Sequence, residues 1–174
     1  MIAEKYAKEI EGILARFPTK KSAVLPLMHL AQHEYGYMSD EAKREVAAIL
    51  GLDPTHVLSL AGFYSLYYEE PVGKYVLEIC NDLACALRGA EDLIKVCKKR
   101  IGEQREVSKD GKFSWLEVEC LGACVNAPMV QINDDYYEDL TPALLEKLMD
   151  DLAAGKEKEA GPPKDRQGSG PAGG

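Results

Sequence analysis

Five cysteines stand in the 174-residue chain, and four of them fall into two close pairs. Cys80 and Cys85 have four residues between them, Cys120 and Cys124 have three, and thirty-four residues separate the pairs. In a reducing compartment clustered cysteines are more often metal ligands than disulfides, and the odd total leaves one thiol over. Each iron of a 2Fe-2S cluster has two positions filled by bridging sulfides and needs two thiolates to complete a tetrahedron, a demand that two cysteine pairs meet. The intervals C-x4-C and C-x3-C depart from plant-type ferredoxin spacing and from the C-x2-C knuckles typical of structural zinc. Zinc nevertheless tolerates two to four intervening residues, so a structural zinc ion stays open. No C-x-x-C is present, which disfavours a dithiol redox catalyst. Between the second pair, Leu121-Gly122-Ala123 is small and contains glycine, so backbone amides can approach the sulfurs and stabilise the added charge of a reduced cluster.

The other residues with chemical potential have simpler readings. Cys97 continues the apolar series Ala86, Leu87, Ala90, Leu93, Ile94, Cys97, Ile101, where a thiol behaves as a small buried hydrophobe. His29 and His33 are four apart on a predicted helix, but no HExxH glutamate lies between them and no third ligand is evident, so they read as ordinary helix residues. Phe63, Tyr64, Tyr67 and Tyr68 invite the idea of an electron relay, yet aromatics near a domain junction are more often packing residues, and a core role is expected. Pro128 precedes a predicted strand, where both a cis bond and an ordinary trans proline opening a strand are compatible with the pattern.

The elements that position the cysteines follow from periodicity. Apolar residues at three-and-four spacing predict a helix over residues 2–17, with Tyr6, Ile10, Ile13, Leu14 and Phe17 on one stripe. A second is expected over 20–35, with Val24, Leu27, Met28 and Ala31 inward. A third is capped by Ser39, with Ala42, Val46, Ala47 and Leu50 inward and Gly51 at its end, and a fourth opens at Asp53-Pro54. Together these predict a small helical bundle over residues 1–68. After Pro71 the pattern changes. KYVLEIC reads as a strand, 86–101 as a helix, 113–118 as a second strand, and 129–132 with 135–138 as a hairpin about Asn133-Asp134. Thr141-Pro142 starts a last helix running to about residue 152. The β-α-β-β-α order over 69–154 is that of a thioredoxin-like fold, so the class is α+β, and both cysteine pairs leave the same end of their strands.

Composition narrows the function. Hydrophobic residues make up 46% and charged residues 29% of the chain, the balance of a globular protein. The net charge is −8, and residues 155–174 carry four basic and three acidic side chains, which leaves −9 on residues 1–154. That excludes the basic face needed to neutralise phosphates, so no nucleic-acid partner is expected. No stretch approaches the roughly eighteen apolar residues of a membrane helix, and MIAEKYAKEIEG alternates charged and apolar residues rather than forming a signal peptide; a cytoplasmic location without direct membrane insertion is expected. From Gly155 onward no apolar side chain is larger than alanine, so a disordered tail is expected over 155–174.

Three segments carry a family resemblance: CNDLACALRGAEDL at 80–93, EVSKDGKF at 106–113 and VECLGACVNAPMVQIND at 118–134. They closely resemble the thioredoxin-like 2Fe-2S subunit of respiratory NADH dehydrogenase, complex I. So do FPTKKSAVLPLMHLAQHEYGYMSDEA and VLSLAGFYSLYYEEPVGKY in the helical half, and the resemblance spans residues 3–152, with CLGACxxAP at 120–128 its most specific part. It implies one 2Fe-2S cluster on Cys80, Cys85, Cys120 and Cys124. It also implies single-electron exchange with FMN on a neighbouring NADH-oxidising subunit, in the peripheral part of a complex that can be membrane-attached. The same module occurs in NAD-linked hydrogenases and formate dehydrogenases, which form the alternative setting. A zinc-stabilised adaptor is the reading from a different functional class.

Overall fold

The computed structural model describes residues 1–156, 159–162 and 167–169. Two compact units divide the chain, Met1–Pro71 and Val72–Gly174. The division lies three residues beyond the one expected at 68/69, because the segment after the last helix is tied back to the helical unit. Tyr67 Oη donates to the Leu25 carbonyl at 2.9 Å, the Tyr68 amide donates to Gln32 Oε1 at 2.8 Å, and Lys43 Nζ lies 3.5 Å from Glu69.

In the first unit the helix expected over 2–17 is two helices, α1 (Ile2–Lys5) and α2 (Ala7–Ala15). Tyr6 leaves helical geometry between them, and its hydroxyl donates to Glu34 at 2.8 Å. A 3-10 turn at Lys20–Ala23 leads into α3 (Val24–Tyr35). Ser39 Oγ accepts the Ala42 amide at 3.1 Å to cap α4 (Asp40–Leu50), which Gly51 ends at φ 66°. Asp53 accepts the Thr55 amide at 2.8 Å to cap α5 (Pro54–Phe63). The positions expected inward on α3 and α4 are all buried, and Ile2 joins them. Tyr67 packs in this core, but Phe63 does not: it ends α5, stands 77% exposed and meets Tyr64 edge-on, against the core role expected for it.

The second unit is a four-stranded sheet, β1 (Tyr75–Cys80), β2 (Phe113–Val118), β3 (Val130–Ile132) and β4 (Asp135–Tyr137), in the order β2-β1-β3-β4. β1 and β2 are parallel, while β3 runs antiparallel to β1 and β4 antiparallel to β3. Strand alternation sends Leu77, Ile79, Trp115, Val130 and Ile132 into one core, where they meet Leu93, Ile94 and Cys97 of α7 (Ala90–Arg100) and Leu145, Leu148 and Met149 of α8 (Pro142–Ala153). Trp115 is wholly buried, and its indole N–H donates to the Gly102 carbonyl at 3.0 Å. Asn133, at φ 54°, turns the hairpin, and its side chain accepts from the Val76 amide at 2.9 Å.

The single helix expected over 86–101 is broken. A short α6 (Leu83–Leu87) precedes α7, and Gly89 at φ 103° separates them. The break changes the helical phase, so Leu93, Ile94 and Cys97 face the core as expected, while Ala86 and Leu87, placed on the same stripe by the sequence, are exposed.

The tail expectation over 155–174 falls partly outside the described residues. Several of those that are described make hydrogen bonds to the second unit. Gly161 donates to the Tyr136 carbonyl at 2.6 Å and accepts from the Glu138 amide at 3.2 Å. The Ser169 amide donates to Glu138 Oε1 at 2.7 Å, and Asn126 Nδ2 donates to the Gln167 carbonyl at 2.9 Å. These are mainly backbone contacts, which composition does not reveal. A chain ending at Gly155 is therefore expected to unfold at a lower temperature than the full chain, by about 1–2 kcal/mol of stability. Equal midpoints in a thermal melt of the two would show that these bonds contribute nothing.

Candidate metal centre

Because β1 and β2 are parallel, with Cys80 opposite Val118, their carboxyl ends reach the same edge of the sheet. Cys80 is the last residue of β1, and Asp82 caps the following α6 by accepting the Leu83 amide at 2.7 Å, which puts Cys85 on the first turns of that helix. Cys120 follows β2, and Cys124 opens a 3-10 turn over Cys124–Asn126. All four cysteines line one cleft of about 200 Å³, together with Asp82, Leu83 and Ala84.

The sulfurs sit as two pairs. Cys120 and Cys124 are 3.5 Å apart and exposed; Cys80 and Cys85 are both buried and belong to one packed group. Burial, then the neighbouring Cys80, pushes the Cys85 thiol upward, and the hydrogen bond shared with Cys120 does the same to Cys124. Iron binds thiolate sulfur, so loading a metal releases protons from the cysteine thiols. One backbone amide already points at sulfur: that of Gly122 donates to Cys120 Sγ at 3.4 Å. Gly122 stands at φ 82°, a left-handed conformation that glycine adopts without cost.

The donor set fits a binuclear iron-sulfur cluster. Four thiols in two close pairs can give each iron its pair of ligands, and an amide aimed at sulfur can stabilise added negative charge.

The remaining sequence candidates lie elsewhere. Cys97 is wholly buried in the sheet–helix core, and that burial pushes its thiol up to about 12. His29 and His33 are exposed, and His29 meets Tyr67 edge-on at 5.5 Å. The Ala127–Pro128 bond is cis. Sequence reasoning passes over a set of polar residues behind the second cysteine loop. Asn126 donates to the fully buried Glu138, the Asp139 amide donates to the Asn126 carbonyl at 2.8 Å, and Tyr136 Oη donates to the Leu121 carbonyl at 2.8 Å. The burial of Asn126 in a loop is the signal that marks them, and it exists only in three dimensions.

A model of the thioredoxin-like [2Fe-2S] ferredoxin family matches residues 10–153. The chain belongs to that family. Like other thioredoxin-like [2Fe-2S] ferredoxins it is a one-cluster protein, and its helices with a mixed four-stranded sheet are that fold. Among its relatives is an NADH-quinone oxidoreductase subunit of Rickettsia bellii, 47% identical over 146 residues, covering 82% of this chain and 87% of that one. The mitochondrial NADH dehydrogenase [ubiquinone] flavoprotein 2 of Dictyostelium discoideum is 42% identical over 163 residues, covering 91% and 66%. Among solved structures, an NAD+-reducing [NiFe]-hydrogenase chain matches with a TM-score of 0.64 at 18% identity, a likeness of fold. It covers 74% of this chain, which spans only 23% of the hydrogenase chain.

Proposed function

We propose that this ferredoxin is the electron-transfer subunit of an NADH:quinone oxidoreductase. In this reading Cys80, Cys85, Cys120 and Cys124 hold its cluster and present it to the FMN of a partner subunit that oxidises NADH. When bound, a 2Fe-2S cluster supplies one-electron redox chemistry at a potential set by hydrogen bonding and burial. The observation that carries the reading is the convergence of the four thiols at one sheet edge, one pair buried and the other exposed. The protein's own residues would shield one side of the site and leave the other for a redox partner. Leu83, which lines the cleft, is 71% exposed, and Leu87 and Val125, close to Cys85 and Cys124 in the chain, are 78% and 85% exposed. Large apolar side chains standing in water beside a redox site are the features of a surface meant to be covered by another subunit.

The names carried by relatives above 40% identity favour the NADH:quinone setting. The alternative, an NAD-linked hydrogenase, has only a likeness of fold behind it. Among the described residues no helix is long and apolar enough to cross a membrane, which agrees with a place in the peripheral part of such a complex.

The chain has no G-x-G-x-x-G after a strand and no Walker loop, so nothing in it cradles a dinucleotide pyrophosphate. Hydride transfer delivers two electrons together, whereas a single 2Fe-2S cluster takes one, so a flavin must divide the pair. NADH added to the purified, cluster-loaded protein is expected to leave its visible absorption unchanged, and bleaching is expected once a flavin-carrying partner is added. Rapid bleaching by NADH without a partner would overturn this assignment of the hydride chemistry to another subunit.

A further inference from the structure

The peptide joining Leu121 to Gly122 is held at both ends. Its carbonyl accepts the Tyr136 hydroxyl at 2.8 Å, and its N–H donates to Cys120 Sγ at 3.4 Å. In a trans peptide the C=O and N–H point in opposite directions within one plane, so a partner that anchors the carbonyl also aims the amide. We propose that Tyr136 is a positioning residue for the cluster: by holding the Leu121 carbonyl it keeps the Gly122 amide directed at the Cys120 sulfur. This rests on the reading of Cys120 as a cluster ligand.

Three features of the surroundings support the role. Tyr136 lies on β4, paired with Gln131 of β3, so its backbone is fixed by the sheet rather than by the loop it holds. Its ring packs, with Leu121, against the buried group that contains Cys80, Cys85, Ala123 and Met129, which restricts where the hydroxyl can reach. Gly122 has no side chain to hold the peptide plane, and at φ 82° it occupies a region where the chain needs an external restraint to stay in one orientation. Cys120 is exposed, so the Gly122 amide competes with water for the sulfur, and its orientation decides how much of that bond survives. An N–H···S bond favours the more negative, reduced state of a cluster, so losing it lowers the midpoint potential.

The test compares Tyr136→Phe, Tyr136→Leu and Cys120→Ala in the cluster-loaded full chain. Tyr136→Phe keeps the ring and removes only the hydroxyl. It is expected to retain iron and the wild-type melting midpoint while its redox midpoint shifts downward. The shift of its iron-sulfur stretching frequencies between H2O and D2O, read by resonance Raman, is also expected to shrink. An unchanged potential and isotope shift in Tyr136→Phe would overturn the proposal, and a change confined to Tyr136→Leu would do so too, since it would assign the effect to ring packing. Retention of the cluster in Cys120→Ala would instead overturn the ligand reading, so the two failures are distinguishable.

Discussion

Cys80→Ala, Cys85→Ala, Cys120→Ala and Cys124→Ala are each expected to abolish stoichiometric iron and sulfide binding and leave the protein colourless, whereas Cys97→Ala keeps both. The four act as a set: each iron needs two thiolates, and no other His, Cys, Asp or Glu among the cleft's lining residues except Asp82 is at hand to replace one. Asp82 is engaged in capping α6, where it accepts the Leu83 amide. Cys97 has no part in this. It sits on α7 against Leu77 and Trp115 in the sheet core, with no exposure and a thiol that burial keeps protonated. Its truncation should cost about 1 kcal/mol of stability through lost packing, and no iron. Iron and acid-labile sulfide assays on the five purified variants check this together with their visible spectra. Iron lost from Cys97→Ala but kept in any of the four others would reverse the assignment, and a colourless wild-type protein carrying one zinc would replace it with the adaptor reading.

Gly73→Ala is expected to destabilise the second unit by about 2–3 kcal/mol. A Cβ at this position would lie 2.5 Å from the Phe113 carbonyl carbon, 2.6 Å from its nitrogen and 2.7 Å from its Cα. These are backbone atoms of the first residue of β2, which no rotamer change can move aside. The Gly73 amide also donates to Ser114 Oγ at 2.8 Å, and the Tyr75 amide to the Lys112 carbonyl at 2.8 Å, so the methyl would strain bonds that bring β1 beside β2. Gly12→Ala is the contrasting case. Gly12 lies inside α2 with nothing within 4 Å of a built Cβ, and alanine there should stabilise by about 0.5–1 kcal/mol. Denaturant melts of both variants read the difference; a Gly73→Ala protein as stable as wild type would mean that the two backbones are not held this close.

Much of the architecture is local and so is legible in the residues. Ser39, Gly51, Asp53-Pro54 and Thr141-Pro142 mark helix ends through hydrogen bonds and φ values that depend on their immediate neighbours, and the observed α4, α5 and α8 begin or end there. The strand-like run KYVLEIC forms β1, an interior strand whose two faces are both buried, a condition its nearly continuous apolar character expresses. The chemistry of the candidate site is legible in the same way, since thiol type, pairing and spacing are properties of the chain, and the CLGACxxAP segment carries the family.

What depends on residues far apart in sequence is not legible. Leu87 departs from its expected place because one left-handed glycine, Gly89, resets the helical phase, and periodicity alone does not reveal where a helix is interrupted. Phe63 departs because its exposure depends on where α5 stops, and the described tail residues depart because their bonds run through backbone. Only the packed chain sets Gly73 against Phe113, forty residues away, and Tyr136 against the Leu121 carbonyl. Side-chain chemistry and short-range backbone preference are enough to say which atoms can bind iron and which segments become helix and strand. Which thiols are buried and which exposed, and which amides are aimed at sulfur, follows from the pairing of strands distant in the chain, since burial and hydrogen-bond direction exist only once the chain has folded on itself.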